Sequence, residues 1–178
     1  MDRLFAPWRI EYVKREDGSD IEGCPFCVLP EREDARAALV VAECEHAFVL
    51  LNNSPYNPGH VMVIPRTHTG AYTDLDERTL IDHARLKQRA IEAIEVAFDP
   101  DGVNTGLNLG QFSGGSIHDH LHTHIVPRWA GDTNFMPILS GTKVIVQAVE
   151  ETYEQLHDAF ETQPDTRLTD SGSVYIEF

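Results

Sequence analysis

Four of the nine histidines alternate with other residues in one short segment, as His118, His120, His122 and His124. Side chains leave a β-strand with a period of two, so His120, His122 and His124 are predicted to share one face of an extended segment. A neutral imidazole can attack phosphorus when a hydrogen bond holds its other nitrogen. Alternate histidines on a strand are also natural zinc ligands, and hydrogen-bonded histidines without chemistry are the third alternative.

A glycine-rich turn, residues 108–116, precedes these histidines. Such a turn can direct backbone N–H groups at an anion, because glycine adopts conformations that other residues avoid. Donors of this kind stabilise the charge that develops during phosphoryl transfer. The hydroxyl of Ser116 and the ring of His124 could also contact a phosphate. The two segments together contain the pieces of a nucleotidyl-transfer site.

Two of the three cysteines, Cys24 and Cys27, are separated by only two residues. A stable disulfide is a poor expectation in a reducing cytosol, so the pair indicates metal binding or redox chemistry. A single Cys-x-x-Cys supplies only half of a tetrahedral zinc site. Cys44 stands alone and is interpreted as a small apolar residue in or beside a turn.

Five strands that could position these residues are predicted from short apolar or alternating runs bounded by turn formers. The first two form a β-hairpin, and the third is almost continuously apolar, which suits a central strand buried on both faces. The predicted strands are residues 39–43, 47–51, 60–65, 103–109 and 120–126.

A long amphipathic helix is predicted after the third strand. Asp74 is its expected N-cap, with Glu77 three residues on, and the turn formers at residues 99–102 end it. A second amphipathic helix is predicted at residues 144–160, and residues 174–178 are either an edge strand or a loose tail. The predicted fold class is α+β, an antiparallel sheet with one long helix packed across it and a C-terminal helix.

The charge balance excludes some classes of partner. Asp and Glu number 29 against 14 Lys and Arg, a formal net charge of −15. Such a surface repels nucleic-acid backbones, so no nucleic-acid partner is expected. Because the acidity is spread along a lysine-poor chain, it favours a halophilic protein in a salt-rich cytoplasm over an acidic protein among basic partners.

The length of 178 residues fits a single domain. Its predicted parts are an N-terminal arm at about residues 1–22, a core at 23–140, and a C-terminal helix and tail at 141–178. The aromatic-rich arm packs either on a second subunit or on the body as a docked tail. Without a signal-like start or about 18 consecutive apolar residues, the chain is expected to be cytoplasmic, with no membrane partner.

The chain resembles the histidine triad (HIT) family. Residues 120–126 match its signature His-φ-His-φ-His-φ-φ, in which φ is apolar, and polar Thr123 is the one departure. Residues 57–65 resemble the family's strand before the long helix. Residues 4–9 and 127–137 resemble the branch described as diadenosine tetraphosphate phosphorylases or hydrolases.

The resemblance implies a role for individual positions. His122 corresponds to the nucleophile that takes up the nucleoside monophosphate, and His124 to a contact with phosphate and leaving group. Phe26 and Leu29 would form one wall of the base pocket. Asn52 stands where many members carry an aspartate that binds the ribose hydroxyls, and it can still donate and accept there. The positions implied to bind phosphate and ribose are Asn108, Gly115, Ser116 and Ile117.

The resemblance also implies a structural zinc ion and no organic cofactor. Some members complete the Cys-x-x-Cys pair with two histidines, and the four ligands here would be Cys24, Cys27, His68 and His120. This assignment gives His120 a structural task.

The remaining basic residues have simpler interpretations. Arg128 either contacts the distal phosphates of a substrate or pairs with an acidic residue. His118 is expected in a turn, His60 buried and hydrogen-bonded at a strand start, and His83 and His157 on helix surfaces.

The function implied by the resemblance is cleavage of dinucleoside polyphosphates by a homodimer. A nucleotidyl-histidine on His122 would be opened by phosphate or by water, and the sequence does not choose between these acceptors. Adenosine phosphoramidase activity is the nearest alternative. A nucleotide sensor without turnover and a zinc-stabilised interaction module are alternatives from other classes.

Overall fold

A seven-stranded sheet forms the body of the computed structural model, which describes residues 21–113, 117–132 and 148–178. Its strands are β1 (Val40–Glu43), β2 (Ala47–Leu51), β3 (Val61–Pro65), β4 (Gly102–Leu107), β5 (Thr123–Arg128), β6 (Thr166–Leu168) and β7 (Val174–Ile176). They lie in the order β4-β5-β3-β2-β1-β7-β6. Neighbouring strands are antiparallel except for β1 with β7, which are parallel.

Helices cover both faces of this sheet. They are α1 (Pro25–Val28), α2 (Glu77–Phe98) and α3 (Val149–Glu161), with short 3-10 turns at Leu29–Glu31 and Tyr72–Asp74. Helices α2 and α3 cover one face, and α1 covers part of the other through Phe26. The predicted α+β fold class is confirmed. No helix among the described residues is long and apolar enough to cross a membrane.

The predicted hairpin and central strand are both present. Strands β1 and β2 pair with an irregularity between Val40 and Ala42, and the N–H of Cys44 donates to the carbonyl of Ala47 in the connecting turn (2.8 Å). Every residue of β3 is buried, because β3 lies between β2 and β5 and both of its faces are covered. Cys44 is 1% exposed, as expected of a small apolar residue beside a turn.

The N-cap of helix α2 lies two residues later than the predicted N-cap, Asp74. The N-cap is Asp76, whose carboxylate accepts the backbone N–H of Thr79 at 2.8 Å. Asp74 lies in the preceding 3-10 turn and accepts the hydroxyl of Thr69 instead. The predicted end is confirmed, since Asp99 takes a left-handed conformation (φ 45°) and its N–H donates to Glu95.

Replacing Asp76 with Ala is expected to lower the Tm by about 3 °C at pH 7, whereas Asp74→Ala has a smaller effect. The hydrogen bond from the Thr79 N–H lowers the pKa of Asp76, so the cap stabilises the fold above the unfolded pKa. The Tm difference should therefore shrink as the pH falls below about 4. Thermal unfolding at several pH values checks this, and equal Tm losses in the two variants would contradict it.

Strand β5 begins at Thr123, three residues later than predicted. His120 and His122 therefore precede the strand, and only His124 of the three lies within it. The segment before β5 pairs with a loop, since the N–H of Leu121 donates to the carbonyl of Thr69 at 2.8 Å.

Gly70 allows this pairing. A Cβ at Gly70 would stand 2.3 Å from the carbonyl oxygen of His118, so the two backbones could not approach as they do with any other residue there. His118 is exposed and lies outside regular secondary structure, as expected of a turn residue.

Two predictions for the helices and the C-terminal segment are wrong. Strand β7 is an interior strand between β1 and β6, neither an edge strand nor a tail. The edge is β6, whose three residues are too short a run for a sequence signal. His83 is 5% exposed and belongs to the buried face of α2, so its predicted surface position is wrong.

Several predictions fall outside the described residues. They concern nearly all of the N-terminal arm, residues 114–116 of the glycine-rich turn, and residues 133–147, which include the predicted start of the C-terminal helix.

Candidate functional site

The histidines gather on the sheet face opposite α2. His124 pairs across the sheet with Met62, while its neighbour Thr123 pairs with Val63 on the helix-covered face. His122 directly precedes the strand and is 6% exposed. Its ring centroid lies 5.0 Å from that of His124, at a steep interplanar angle of 80°. The alternation in sequence thus places both rings at one site.

The ring of His122 is held with one nitrogen free for chemistry. Its Nδ1 lies 3.0 Å from the carbonyl oxygen of His120, and since a carbonyl only accepts, Nδ1 carries the proton. Burial lowers the pKa of His122, which favours the neutral ring. The lone pair therefore resides on Nε2. This is the tautomer that a nucleophilic histidine requires.

A chain of hydrogen bonds orients His124. The backbone N–H of Tyr56 donates to Nδ1 of His60 at 3.1 Å, so the neutral His60 ring carries its proton on Nε2. That nitrogen lies 3.0 Å from Nδ1 of His124 and donates to it. A neutral His124 then carries its proton on Nε2, where this N–H can donate a hydrogen bond to a phosphate or a leaving oxygen.

Sequence reasoning correctly expected His60 to be buried and hydrogen-bonded but missed its contact with His124. His60 is 0% exposed, and the ring of Tyr56 stacks on it at 4.9 Å. The available signal was the position of His60 directly before β3, the strand that pairs with β5.

The predicted wall of the base pocket lies beside His122. Phe26 is 5% exposed, and its ring centroid lies 5.1 Å from that of His122 and 5.6 Å from that of His120. Leu29 and Ile117 are partly buried against the same hydrophobic cluster. Phe26 and Leu29, together with the distant Ile117, form one apolar side of the site.

The predicted ribose and phosphate contacts are only partly described. Asn52 is half-buried; its side-chain oxygen accepts the N–H of Ser54 (2.8 Å), and its amide nitrogen lies 3.6 Å from the sulfur of Met62. Asn108 is half-buried just after the end of β4. The predicted contacts Gly115 and Ser116 lie outside the described residues.

Arg128 forms an ion pair. Its guanidinium donates to both carboxylate oxygens of Asp132, at 2.5 and 2.8 Å, and to the side-chain oxygen of Asn104 at 2.9 Å. The Arg128 hydrogen bonds lower the pKa of Asp132 to about 2. The sequence left two interpretations of Arg128, a contact with distal phosphates or a pair with an acidic residue, and the observed geometry is that of the pair.

A second cluster brings together Cys24, Cys27, His68 and His120, with all four possible ligand atoms within 4.8 Å of one another. Nδ1 of His120 lies 3.4 Å from the sulfur of Cys24 and 3.6 Å from that of Cys27, and Nδ1 of His68 lies 3.2 Å from Cys27. Ideal Zn–S and Zn–N lengths at a tetrahedral angle require an S···N distance of about 3.5 Å. The residues therefore fit a zinc ion.

The surroundings of the cluster also suit a metal. Nε2 of His120 donates to the carbonyl of Pro65 at 2.8 Å, which leaves Nδ1 unprotonated toward the thiols. Burial and the neighbouring Cys24 raise the pKa of Cys27, so its thiolate form needs a cation beside it. A histidine ligand whose second nitrogen donates a hydrogen bond to a carbonyl is held by that bond in the orientation the metal requires.

His120 contributes both to this candidate metal centre and to the site around His122. Its ring faces the two thiols, and its backbone carbonyl accepts a hydrogen bond from Nδ1 of His122. Phe26, which lies between the two cysteines in sequence, contacts both rings. The candidate metal centre thus adjoins the candidate nucleophile through one residue.

Comparison with known proteins identifies the family. A model of the HIT domain matches residues 34–131 of this chain. A protein of Mycobacterium tuberculosis named AP-4-A phosphorylase is 39% identical over 170 residues, which cover 92% of this chain and 87% of that protein. The chain belongs to the HIT domain family.

Solved structures with this architecture include two histidine triad proteins. A Zn-bound histidine triad family protein from Mycobacterium smegmatis is 27% identical, with a TM-score of 0.60 over 78% of this chain and 94% of that one. A hypothetical histidine triad nucleotide-binding protein from Sulfolobus tokodaii is 30% identical, with a TM-score of 0.62 over 78% and 92%.

Proposed function

We propose that this chain cleaves dinucleoside polyphosphates such as diadenosine tetraphosphate, by attack of His122 on a phosphorus next to adenosine. The observation that carries the proposal is the hydrogen bond from Nδ1 of His122 to the carbonyl of His120, which leaves the Nε2 lone pair available. The AP-4-A phosphorylase of M. tuberculosis, alike over 92% of this chain, supports the substrate class.

The first step forms a bond between Nε2 of His122 and phosphorus and breaks the bond from phosphorus to the leaving nucleotide. The N–H at Nε2 of His124 donates a hydrogen bond to the leaving phosphate oxygen, which departs as an anion, so His124 stays neutral. In the second step phosphate or water attacks the phosphorus of the nucleotidyl-histidine, the N–P bond breaks, and its electron pair returns to Nε2 of His122. The proton that an attacking water loses passes to solvent. With diadenosine tetraphosphate, phosphate gives ADP plus ATP, and water gives AMP plus ATP.

Recognition of the nucleotide is assigned to the apolar side of the site and the polar residues beside it. Phe26 and Leu29 line the base, and Asn52 hydrogen-bonds the ribose through its amide. The remaining proposed contacts with phosphate and ribose are Asn108, Gly115, Ser116 and Ile117.

We propose that the cluster of Cys24, Cys27, His68 and His120 binds one structural zinc ion. The S···N distances of 3.2 to 3.6 Å support this, as does the Zn-bound relative from M. smegmatis. A zinc ion there would tie α1 to the segment before β5 and stabilise the fold. The reaction steps above involve only the protein's own side chains.

Arg128 is proposed to exchange Asp132 for the distal phosphates of a long substrate. Arg128→Gln is then expected to raise the KM for diadenosine tetraphosphate about fivefold, the factor that roughly 1 kcal/mol gives. The KM for adenosine 5′-phosphoramidate, which has no distal phosphate, should stay unchanged. Steady-state kinetics with both substrates checks this, and equal KM changes for the two would contradict it.

The homodimer, the cytoplasmic location and the adaptation to high salt stay predictions. Strand β4 at the end of the described sheet, with Asn104, Thr105 and Gly106 exposed, supports pairing of two sheets edge to edge. Light scattering of the purified protein at low and high salt tests the dimer and its dependence on salt. A monomer at every salt concentration would contradict the dimer.

The experiment that tests the function is chromatographic analysis of products from diadenosine tetraphosphate in high-salt buffer, with and without phosphate. ADP formed only with phosphate identifies a phosphorylase. AMP formed without phosphate identifies a hydrolase. If neither product forms but nucleotides raise the Tm, the protein is a sensor and the proposal is wrong.

A further inference from the structure

Two features of the chain have no part in the chemistry described above. Thr123 is polar at a position where the family signature is apolar. His83 is a histidine in the buried face of the long helix. The two side chains meet beneath the sheet, with Thr123 Oγ1 3.0 Å from His83 Nε2. Each residue thus supplies the polar partner that the other requires.

The proton of His83 can be located from its neighbours. Nε2 also lies 3.3 Å from the backbone carbonyl of Val63. Because a carbonyl only accepts, Nε2 carries the proton, and its N–H is shared between the carbonyl of Val63 and the hydroxyl oxygen of Thr123. Burial lowers the pKa of His83, and the nearby charge of Lys87 lowers it further. The ring of His83 is therefore neutral at neutral pH, and its hydrogen bond with Thr123 is retained.

The pair lies where β5 begins. Val63 and Thr123 are partners across β3 and β5, and Thr123 is the first residue of β5. His122 directly precedes Thr123, and His124 directly follows it. His83 thus joins α2 to the first pair of the β3–β5 ladder, on the face opposite the two reactive rings.

We propose that His83 and Thr123 are a positioning pair, which holds the start of β5 so that His122 and His124 keep the geometry for attack and for the hydrogen bond to the leaving oxygen. The proposal rests on the proposed function. A valine at 123 would fill the same space without a buried hydroxyl that needs a partner, so packing alone does not account for the threonine. Because reacting groups must be held within a fraction of an ångström, a small loosening here reduces turnover more than binding.

Kinetics of four variants test the pair. Thr123→Val and His83→Leu each remove the bond, and each is expected to lower kcat about tenfold with KM within about twofold. The double variant should be no slower than the slower single one, because both remove one interaction. His83→Gln keeps an N–H donor near the Nε2 position and should recover most of the activity.

Thr152→Val is the matched control. Thr152 is also buried, and its hydroxyl donates to the carbonyl of Ala148 at 2.9 Å on α3. This variant loses a buried hydroxyl of the same kind elsewhere and should keep the kcat of the wild type. The proposal is overturned if Thr123→Val has the wild-type kcat, or if Thr152→Val loses activity in parallel with it.

A second readout does not depend on turnover. Two-dimensional ¹H–¹⁵N spectra of the imidazole rings should show His122 protonated on Nδ1 in the wild type. In Thr123→Val the ring signals of His122 and His124 should shift, and in Thr152→Val they should not. If the wild type has no turnover, the proposed function fails by itself, and unchanged spectra in Thr123→Val then reject the positioning pair as well.

Discussion

Replacing His122 with Asn is expected to lower kcat by at least about 10⁴-fold while nucleotide binding is retained. The asparagine amide can still donate to the carbonyl of His120, so the neighbouring backbone keeps its partner. It offers no lone pair on nitrogen to attack phosphorus, so the covalent intermediate cannot form. Diadenosine tetraphosphate turnover and the Tm rise caused by ADP measure the two properties separately.

His157→Asn is the control for this substitution. His157 is half-buried on α3, where its Nε2 donates to the carbonyl of Gly172 at 2.9 Å, away from both clusters. Its variant should turn over substrate at the wild-type rate. If His122→Asn keeps the wild-type rate, His122 is not the nucleophile. If it loses turnover together with the nucleotide-induced rise in Tm, the residue serves binding and the covalent mechanism is unsupported.

Replacing Cys24 with Ser is expected to abolish stoichiometric zinc binding and to lower the Tm by about 10 °C or more. The physical reason is that the ion would hold together segments that are 96 and 41 residues apart, Cys24 with His120 and Cys27 with His68. Without it, the facing thiols and rings have only weak contacts. Elemental analysis of the purified protein and thermal unfolding give the two measurements.

Loss of the metal should also weaken nucleotide binding. Phe26 lies between the two cysteines and contacts the ring of His122, and His120 supplies the carbonyl that orients that ring. Both are therefore expected to shift when the cluster is broken. Calorimetric titration of the variant with ADP measures the affinity without any need for turnover.

Cys44→Ser is the matched control for the metal centre. Cys44 is buried outside the cluster, and its thiol donates to the carbonyl of Ala47. A serine there can keep this bond, so the zinc content should equal that of the wild type even where the Tm falls slightly. A wild-type protein that is free of zinc, or a Cys24→Ser protein that binds it fully, would end the proposal of a zinc site.

Several parts of the fold have a local signal in the sequence. The period of two near His122 and His124 predicted strand β5, although it placed the start three residues too early. The apolar run at Val61–Pro65 predicted the central strand, and the turn formers after Phe98 predicted the end of α2. Each of these depends on neighbours along the chain, so no knowledge of the packing was needed. The resemblance to the HIT family then supplied roles that spacing alone had left open between phosphorus chemistry and zinc.

Which ring nitrogen of each histidine carries the proton follows from the folded chain and not from the sequence. The proton positions on His122, His60 and His83 follow from carbonyl and amide partners that no spacing rule connects to them. His83 shows the limit most clearly. Which stripe of this 22-residue helix is buried depends on the elements that it packs against, and the hydrogen bond with Thr123 gives the buried His83 a polar partner.

The order of the C-terminal strands was likewise beyond local reasoning. Strand β7 joins the sheet because the edge of β1 accepts a parallel partner from the far end of the chain. Strand pairing is a choice among distant edges, and short strands such as Thr166–Leu168 carry almost no signal of their own. Residue types thus determined what chemistry the site could hold, and the packing decided which nitrogen of each ring is available for it.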